Sequence, residues 1–302
     1  MISWKYAHLA AGAVCEDMEL NHSRKMSAKL VQSIGEAVGE FAINTEADMV
    51  YKLPEFEEVV SHIAFSRDGT TTPIRGQGYR ETMCGTISFY NSIGDRLHTI
   101  YSACAPEYGK KTFDEVLDME IAHAKAAFPG VTCLGLADGA KDNWTYLQRF
   151  TTVDILDFFH ATEHLAEVSV VVKKTEKERK QWLENVCHDL KHQTRGAQFI
   201  LRELTALHEK FGETAPEVLL KTITYFENNL HRMKYAQYQK KGYPIGSGVT
   251  EAACKVVVKQ RLSQSGMKWN LPTVDKILLL RGVICTEGRW KQFWKQFDNM
   301  AA

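Results

Sequence analysis

Apolar positions between His8 and Phe41 recur at helical spacing, with Ala and Leu frequent and no proline, so one or two helices are predicted there. The pattern then changes. Asn44 to Glu57 mixes Thr, Asp and Pro54, and the β-rich run VVSHIAFS that follows predicts a first strand ending at Arg67, Asp68 and Gly69. TMCGTISFY and RLHTIYSAC, parted by the Gly-containing stretch Asn91 to Asp95, predict two further strands in an antiparallel meander. Phe113 to Phe128 is an amphipathic helix closed by Pro129 and Gly130. VTCLGLA is nearly all apolar, as a buried parallel strand requires, and ends at Asp138. Residues 142 to 149 supply one or two helical turns, and VDIL at 153 to 156 is a last short β run delivering Asp157. The predicted order is βββαβαβ, an α/β fold with a mixed sheet.

The second half loses its β signals. Residues 159 to 235 hold helix-compatible runs such as AEVSVVVKK, KKTEKERKQWLENVCHDL and APEVLLKTITYFENNLHRM. This block ends at GYPIGSG, where three glycines and a proline precede a new helix. Ser247 or Thr250 can cap that helix, which puts Glu251 in its first turn, where free N–H groups and the helix field favour an anion. The glycines allow a close backbone approach to another segment or to a phosphate.

Composition narrows the classes. The 302 residues, 44% hydrophobic, can fill one large domain or two modest ones, and no stretch approaches the roughly 20 apolar residues of a membrane helix. Seven cysteines without a CxxC, and a start, MISWKYAHLA, without the basic-then-apolar profile of a secretory signal, predict a reducing cytoplasmic setting. The 37 Lys+Arg balance 37 Asp+Glu, but unevenly. Residues 1 to 165 hold 14 basic and 23 acidic side chains, and residues 166 to 302 hold 23 basic and 14 acidic, a division into −9 and +9. A polyanion suits the second half, although long helices carry solvated Lys and Glu in any case.

Open mixed sheets place their crevice at strand ends, and here two predicted strands end in aspartate. If the strands of Asp68 and Asp138 lie side by side and parallel, both carboxylates leave the sheet at one edge. Asp-Gly after a strand is also an ordinary turn, and glutamate in a first helical turn is ordinary too. Three gathered carboxylates repel one another, a cost that Mg²⁺ removes. Hard divalent cations prefer oxygen ligands, and two of them can activate a nucleophile and stabilise the departing oxygen in phosphodiester chemistry.

Asp68 in SRDGTTTP, Asp138 in LGLADGAKDNW, the DFFHATEHL stretch at 157 to 165 and GSGVTEAACK around Glu251 together resemble bacterial insertion-sequence transposases of the DDE class. RLSQSGMKWN and LLLRGVICTEGRWKQFW extend the match, which looks like the ISKra family, related to Mutator-like transposases. The resemblance implies a ribonuclease H-like mixed sheet (βββαβαβα) with a large all-helical insertion before the last catalytic helix. It divides the chain into an N-terminal helical segment (1–57), the first part of the core (58–159), the helical insertion (160–240), and a catalytic helix with a basic C-terminal segment (241–302). It implies Asp68, Asp138 and Glu251 as catalytic acids binding two Mg²⁺ ions, with Mn²⁺ as a substitute, for strand cleavage and strand transfer at element ends. The implied partners are double-stranded DNA, as element ends and as target, and further copies of the chain on that DNA. No membrane is expected, and the implied location is the bacterial cytoplasm, with nucleoid association when DNA is bound.

Asp157, His160 and His164 are site-adjacent candidates. The histidines are four apart and can share a helix face, but zinc needs two further ligands and no cysteine is near, so no zinc is assigned. Lys255, Lys259, Arg261 and Lys268 surround the turn after the Glu251 helix and are the DNA-binding candidates. Arg281, Arg289, Trp290 and Trp294 interleave cations with aromatics, with both tryptophans assigned to the core. Against the family pattern, only 67 residues precede Asp68, so N-terminal truncation is expected, and with it the alternative of a catalytically unproductive remnant that only binds DNA. A two-carboxylate glycosidase using Asp138 and Glu251 carries little weight, because nothing in the basic half suggests a carbohydrate groove.

Overall fold

The computed structural model describes residues 1–49 and 51–301. Five strands are present: β1 (His62–Ile74), β2 (Gly78–Tyr90), β3 (Arg96–Cys104), β4 (Thr132–Ala137) and β5 (Val153–Leu156). They form one mixed sheet in the order β3-β2-β1-β4-β5. β1, β2 and β3 pair antiparallel, while β4 pairs parallel with β1, and β5 parallel with β4. Helices α4 (Lys111–Ala127) and α5 (Lys141–Leu147) supply the crossovers, so the chain is α/β with the predicted element order.

The first strand is longer than the sequence suggested. Asp68 and Gly69 are not a turn: β1 continues through Thr70, Thr71 and Thr72 to Ile74, paired with β2 throughout. β-branched threonines suit the extended backbone, and Thr72 accepts a hydrogen bond from Thr82 across the pair at 2.8 Å. The reversal lies further on, where Gly76 and Gly78 take φ of +74° and +70°. Parallel pairing with β4 stops at Ser66↔Leu136, so beyond it β1 and β2 project as a ribbon.

One face of the sheet is packed by α4, through Phe113, Leu117 and Ile121. That core runs on without a break into the helical insertion, α6 (Phe158–Val172), α7 (Glu176–His192), α8 (Gly196–Phe211), α9 (Glu217–Asn229) and α10 (Tyr235–Lys240), through Leu165, Trp182, Leu204 and Phe226. Among these, α7 begins with a complete capping box, Thr175 with Glu178. The other face, marked by Cys84 and Ala103, receives a helix that starts as α11 (Gly248–Ala253), is π-helical over Cys254–Lys259 and ends as α12 (Gln260–Leu262). α13 (Leu271–Cys285) packs beside it, and the N-terminal helices α1 (Ile2–His8), α2 (Ala11–His22) and α3 (Ala28–Thr45) close over α13. In α13, Leu278 and Leu280 are buried; in α14 (Arg289–Ala301), Trp290 and Trp294 are half-buried and pack around Phe293. No helix among the described residues is long and apolar enough to cross a membrane.

Two glycines set the path into α11. Gly242, at φ +69°, lies so near the β2–β3 turn that a Cβ there would come within 2.3 Å of the Ser92 carbonyl oxygen. Gly94, at φ +95°, faces it from the turn. Gly242→Ala is expected to destabilise the protein by roughly 1–3 kcal/mol in chemical denaturation, whereas Gly248→Ala, with nothing within 4 Å, leaves it nearly unchanged.

Behind α13 lies a half-buried carboxylate. Burial, reinforced by the charges of Glu120 and Asp275 and opposed by Arg289, pushes Glu46 up to about 7. A folded-state value above the unfolded one means that this contribution to stability is complete below the ordinary glutamate range and is lost as pH rises through about 7. Thermal melts of Glu46→Gln should therefore decline less than those of the native chain between acid and mildly alkaline pH, and equal slopes would refute the assignment.

Candidate active site

The register of β1 and β4 is offset by 70 residues, from His62↔Thr132 to Ser66↔Leu136, and continuing it by one step on the same face brings Asp68 opposite Asp138. Both aspartates lie just beyond the last paired residues of β1 and β4, near enough for the Asp138 charge to be felt at Asp68. Asp68 also pairs with Cys84 of β2, which puts it on the face covered by the Glu251 helix. Asp68, Thr70, Glu251, Lys255 and Lys259 line one open cleft. Of the acids proposed from sequence, Asp68 and Glu251 line one cleft, and Asp138, at the end of β4, acts on Asp68 through its charge and does not line that cleft.

Each acid is held by named partners. Burial raises the Asp68 carboxyl above its ordinary range, the Gly69 amide opposes this, and the charge of Asp138 adds to it. The Cys254 thiol, 3.7 Å from Asp68 Oδ2, and the nearby His160 act in the opposite direction. Asp138 Oδ1 accepts from the Ala140 amide at 3.1 Å and from Asn143 Nδ2 at 3.2 Å. Asn143 accepts in turn from Arg67 Nε at 3.1 Å, and the buried Arg67 ion-pairs with Asp114 and Asp142 at 2.6 and 2.8 Å. The residue before Asp68 is thus linked through Asn143 to the second acid. The insertion reaches the same strand end: Tyr225 of α9 donates to the Asp138 carbonyl at 2.8 Å.

Asp157 and the two histidines have separate duties. Asp157 is fully buried; Oδ1 caps α6 by accepting from the His160 amide at 2.8 Å, and Oδ2 accepts from the Ser247 amide and hydroxyl. With its oxygens engaged in this way it positions the GSG segment. The Ser247 hydroxyl also lies 3.2 Å from Glu251 Oε1. His160 Nε2 is 3.8 Å from Glu251 Oε1, and its Nδ1 is 3.2 Å from Glu163. His164 packs against the Tyr225 ring, centroids 4.0 Å apart and planes tilted by 35°, with its pKa lowered by burial.

The cationic candidates divide as well. Lys255 and Lys259 line the acidic cleft; Arg261 and Lys268 line a different pocket, with Tyr6 and Trp269. Arg261 is buried between those two rings and lies outside the acidic cleft. Arg281 is buried too: its guanidinium donates to the Val256 and Val257 carbonyls of the π-helical segment and to Ala7. Arg289 pairs with Glu120 through both terminal nitrogens. Sequence reasoning missed Arg67, Asn143, Ser247 and Cys254 as supports of the acids, although SRDG, KDNW and GSGVTEAAC contain them.

For a hard divalent cation the donor chemistry is right, oxygen ligands whose mutual repulsion a cation relieves. Asp68 and Glu251 line the cleft, and Asp138 lies outside its lining. Among the described residues, no three His, Cys, Asp or Glu side chains are close enough to hold a single ion jointly. Asp68, Asp138 and Glu251 are thus not gathered into a single ligand set among the described residues. No protein-family model matches this chain, and no curated protein matches it either.

Relieving the like-charge contact has a measurable consequence. Asp68→Asn should raise the melting temperature at neutral pH by about 2 to 4 °C, the change that about 1 kcal/mol produces in chains of some 150–250 residues. Millimolar Mg²⁺ should stabilise the native chain and stabilise this variant less. Equal responses to Mg²⁺ would remove Asp68 from the cation site.

Proposed function

We propose that this chain is a metal-dependent DNA transposase that cleaves strands at the ends of an insertion sequence and joins the freed ends to target DNA. The observation that carries this reading is the cleft shared by Asp68 of β1 and Glu251 of α11, with Asp138 following the adjacent parallel strand β4 closely enough for its charge to be felt at Asp68. The strand order β3-β2-β1-β4-β5, with helices after the third and fourth strands and a helical insertion before α11, supports a ribonuclease H-like core. The lysines of the cleft and the basic second half suit a polyanion.

Asp68, Asp138 and Glu251 would hold Mg²⁺ or Mn²⁺, which when bound supplies Lewis-acid stabilisation of charge on the phosphate and its leaving oxygen. In the first step water attacks a phosphodiester phosphorus, the bond to the 3′ oxygen breaks, and that oxygen leaves as a hydroxyl after gaining the proton the water gives up. In the second, the 3′ hydroxyl attacks a target phosphodiester and the target's own 3′ oxygen departs protonated. Lys255 and Lys259 hold backbone phosphates along the cleft, as phosphate contact requires charge more than base-reading geometry. Asn143 and Arg67 keep Asp138 aimed, and Ser247 and His160 keep Glu251 aimed.

Glu251→Gln tests this directly. The variant should melt like the native chain and retain duplex DNA salt-dependently, while Mg²⁺-dependent cleavage of DNA carrying the inverted repeats that flank the coding sequence falls by about a thousandfold or more. Near-normal cleavage would overturn the assignment. Retention of that DNA by the native chain without any nicking, in Mg²⁺ or Mn²⁺, would replace it with the reading of a remnant that only binds DNA.

A further inference from the structure

Away from the acids, the tip of the β1–β2 ribbon docks on the segment after α12. The Trp269 amide donates to the Pro73 carbonyl at 3.1 Å, and the Arg75 amide donates to the Trp269 carbonyl at 2.8 Å. This junction frames an open pocket lined by Tyr6, Arg75, Arg261, Lys268, Trp269 and Asn270. Its floor is Arg261, only 1% exposed, its guanidinium 5.1 Å from the Tyr6 ring centroid and 4.6 Å from that of Trp269. Arg261 Nε donates to the Tyr6 carbonyl at 3.0 Å, and Trp269 Nε1 to the Leu262 carbonyl at 2.9 Å, so both walls are fixed.

Among the described residues, none of Arg75, Arg261 and Lys268 has an ion-pair partner. Glu36, whose charge is felt at Tyr6, is bonded instead to Gln32 and Thr273 at 2.7 and 3.1 Å. A buried guanidinium without an anion is costly, and a phosphate group supplies both the charge and the acceptors. Two exposed cations, Arg75 and Lys268, stand at the mouth to receive it.

We propose that this pocket is a second anchoring site for DNA, taking a backbone phosphate of the same duplex whose strand lies across the acids. This rests on the DNA reading above and adds a place and a spacing to it. From Asp68 to Arg75 the chain is extended, about 23 Å at 3.3 Å per residue, which matches about seven base pairs at 3.4 Å each. Lys255 and Lys259 line the acid cleft, and Arg261, two residues further along the same helical run, faces the opposite way into the pocket. The cations are thus divided between the two sites.

The test uses the full chain and a duplex of about 30 base pairs, long enough to span both sites, with affinity measured against salt. Arg75→Gln and Lys268→Gln, both at exposed positions, should leave the melting temperature unchanged. Each should lower the slope of log affinity against log salt by about 0.9, and the pair by about 1.8. Arg75→Lys should restore the native slope. If the pocket variants keep the native slope while Lys255→Gln and Lys259→Gln reduce it, the pocket proposal fails and the DNA reading stands. If the native chain binds no duplex, the DNA reading fails and the pocket with it. Calorimetry with inorganic phosphate separates the remaining source: phosphate binding lost in the pocket variants, with an unaltered duplex slope, would make this a small-anion site and overturn the proposal.

Discussion

Asp157 has no exposed surface, and its charge is met from two distant parts of the chain, the His160 amide on one oxygen and the Ser247 amide and hydroxyl on the other. Its own amide donates to the Ala137 carbonyl at 2.8 Å, and the next amide, of Phe158, donates to Ile245 at 2.9 Å. Four features are thereby fixed together: the end of β4, the end of β5, the start of α6 and the approach to α11. Glu251 sits four residues beyond Ser247, so its position depends on a carboxylate that does not itself open onto the cleft. Breaking one half of such a buried charged network leaves the other half unsatisfied, which makes the arrangement rigid.

The acids sit in tension with that rigid frame. Asp68 is held partly buried beside the charge of Asp138, and the groups that ease it, the Gly69 amide, Cys254 and His160, do so incompletely, since its pKa stays raised. The frame that bears it is the continuous core beneath the sheet, which extends from Ile63 and Phe65 into α7 and α9 without a second centre. The helices from α6 to α10 therefore share one core with the sheet, and Tyr225 brings them onto the backbone of Asp138.

Much of this was legible in the sequence, because strands and helices are written in short-range periodicity. β5 runs over the predicted residues, β4 differs by one at its start, and the insertion is helical where β signals vanish. The end of β1 was misread because Asp68-Gly69 has turn chemistry, while the pairing that overrules it comes from β2, where the true reversal is set by Gly76 and Gly78. The three acids could be picked out by their strand-end and helix-start positions. Their supports could not: Arg67 and Asn143 are 76 residues apart, Asp157 and Ser247 are 90 apart, and Asp68 and Cys254 are 186 apart. Arg261 was read as a DNA contact and Arg281 as one of the cations interleaved with aromatics; sequence alone does not reveal the rings and carbonyls that enclose them.

The π-helical stretch Cys254–Lys259 gives its loosened carbonyls at Val256 and Val257 to Arg281. Such a stretch accommodates a surplus residue within an otherwise regular helix. Removing one residue there would restore ordinary winding, turn those carbonyls back to the helix's own amides and leave the buried Arg281 without them. Insertions and deletions should accordingly be far rarer in this stretch than substitutions, so the spacing between Glu251 and Arg261 should persist in descendants of this chain even where the intervening residue types drift.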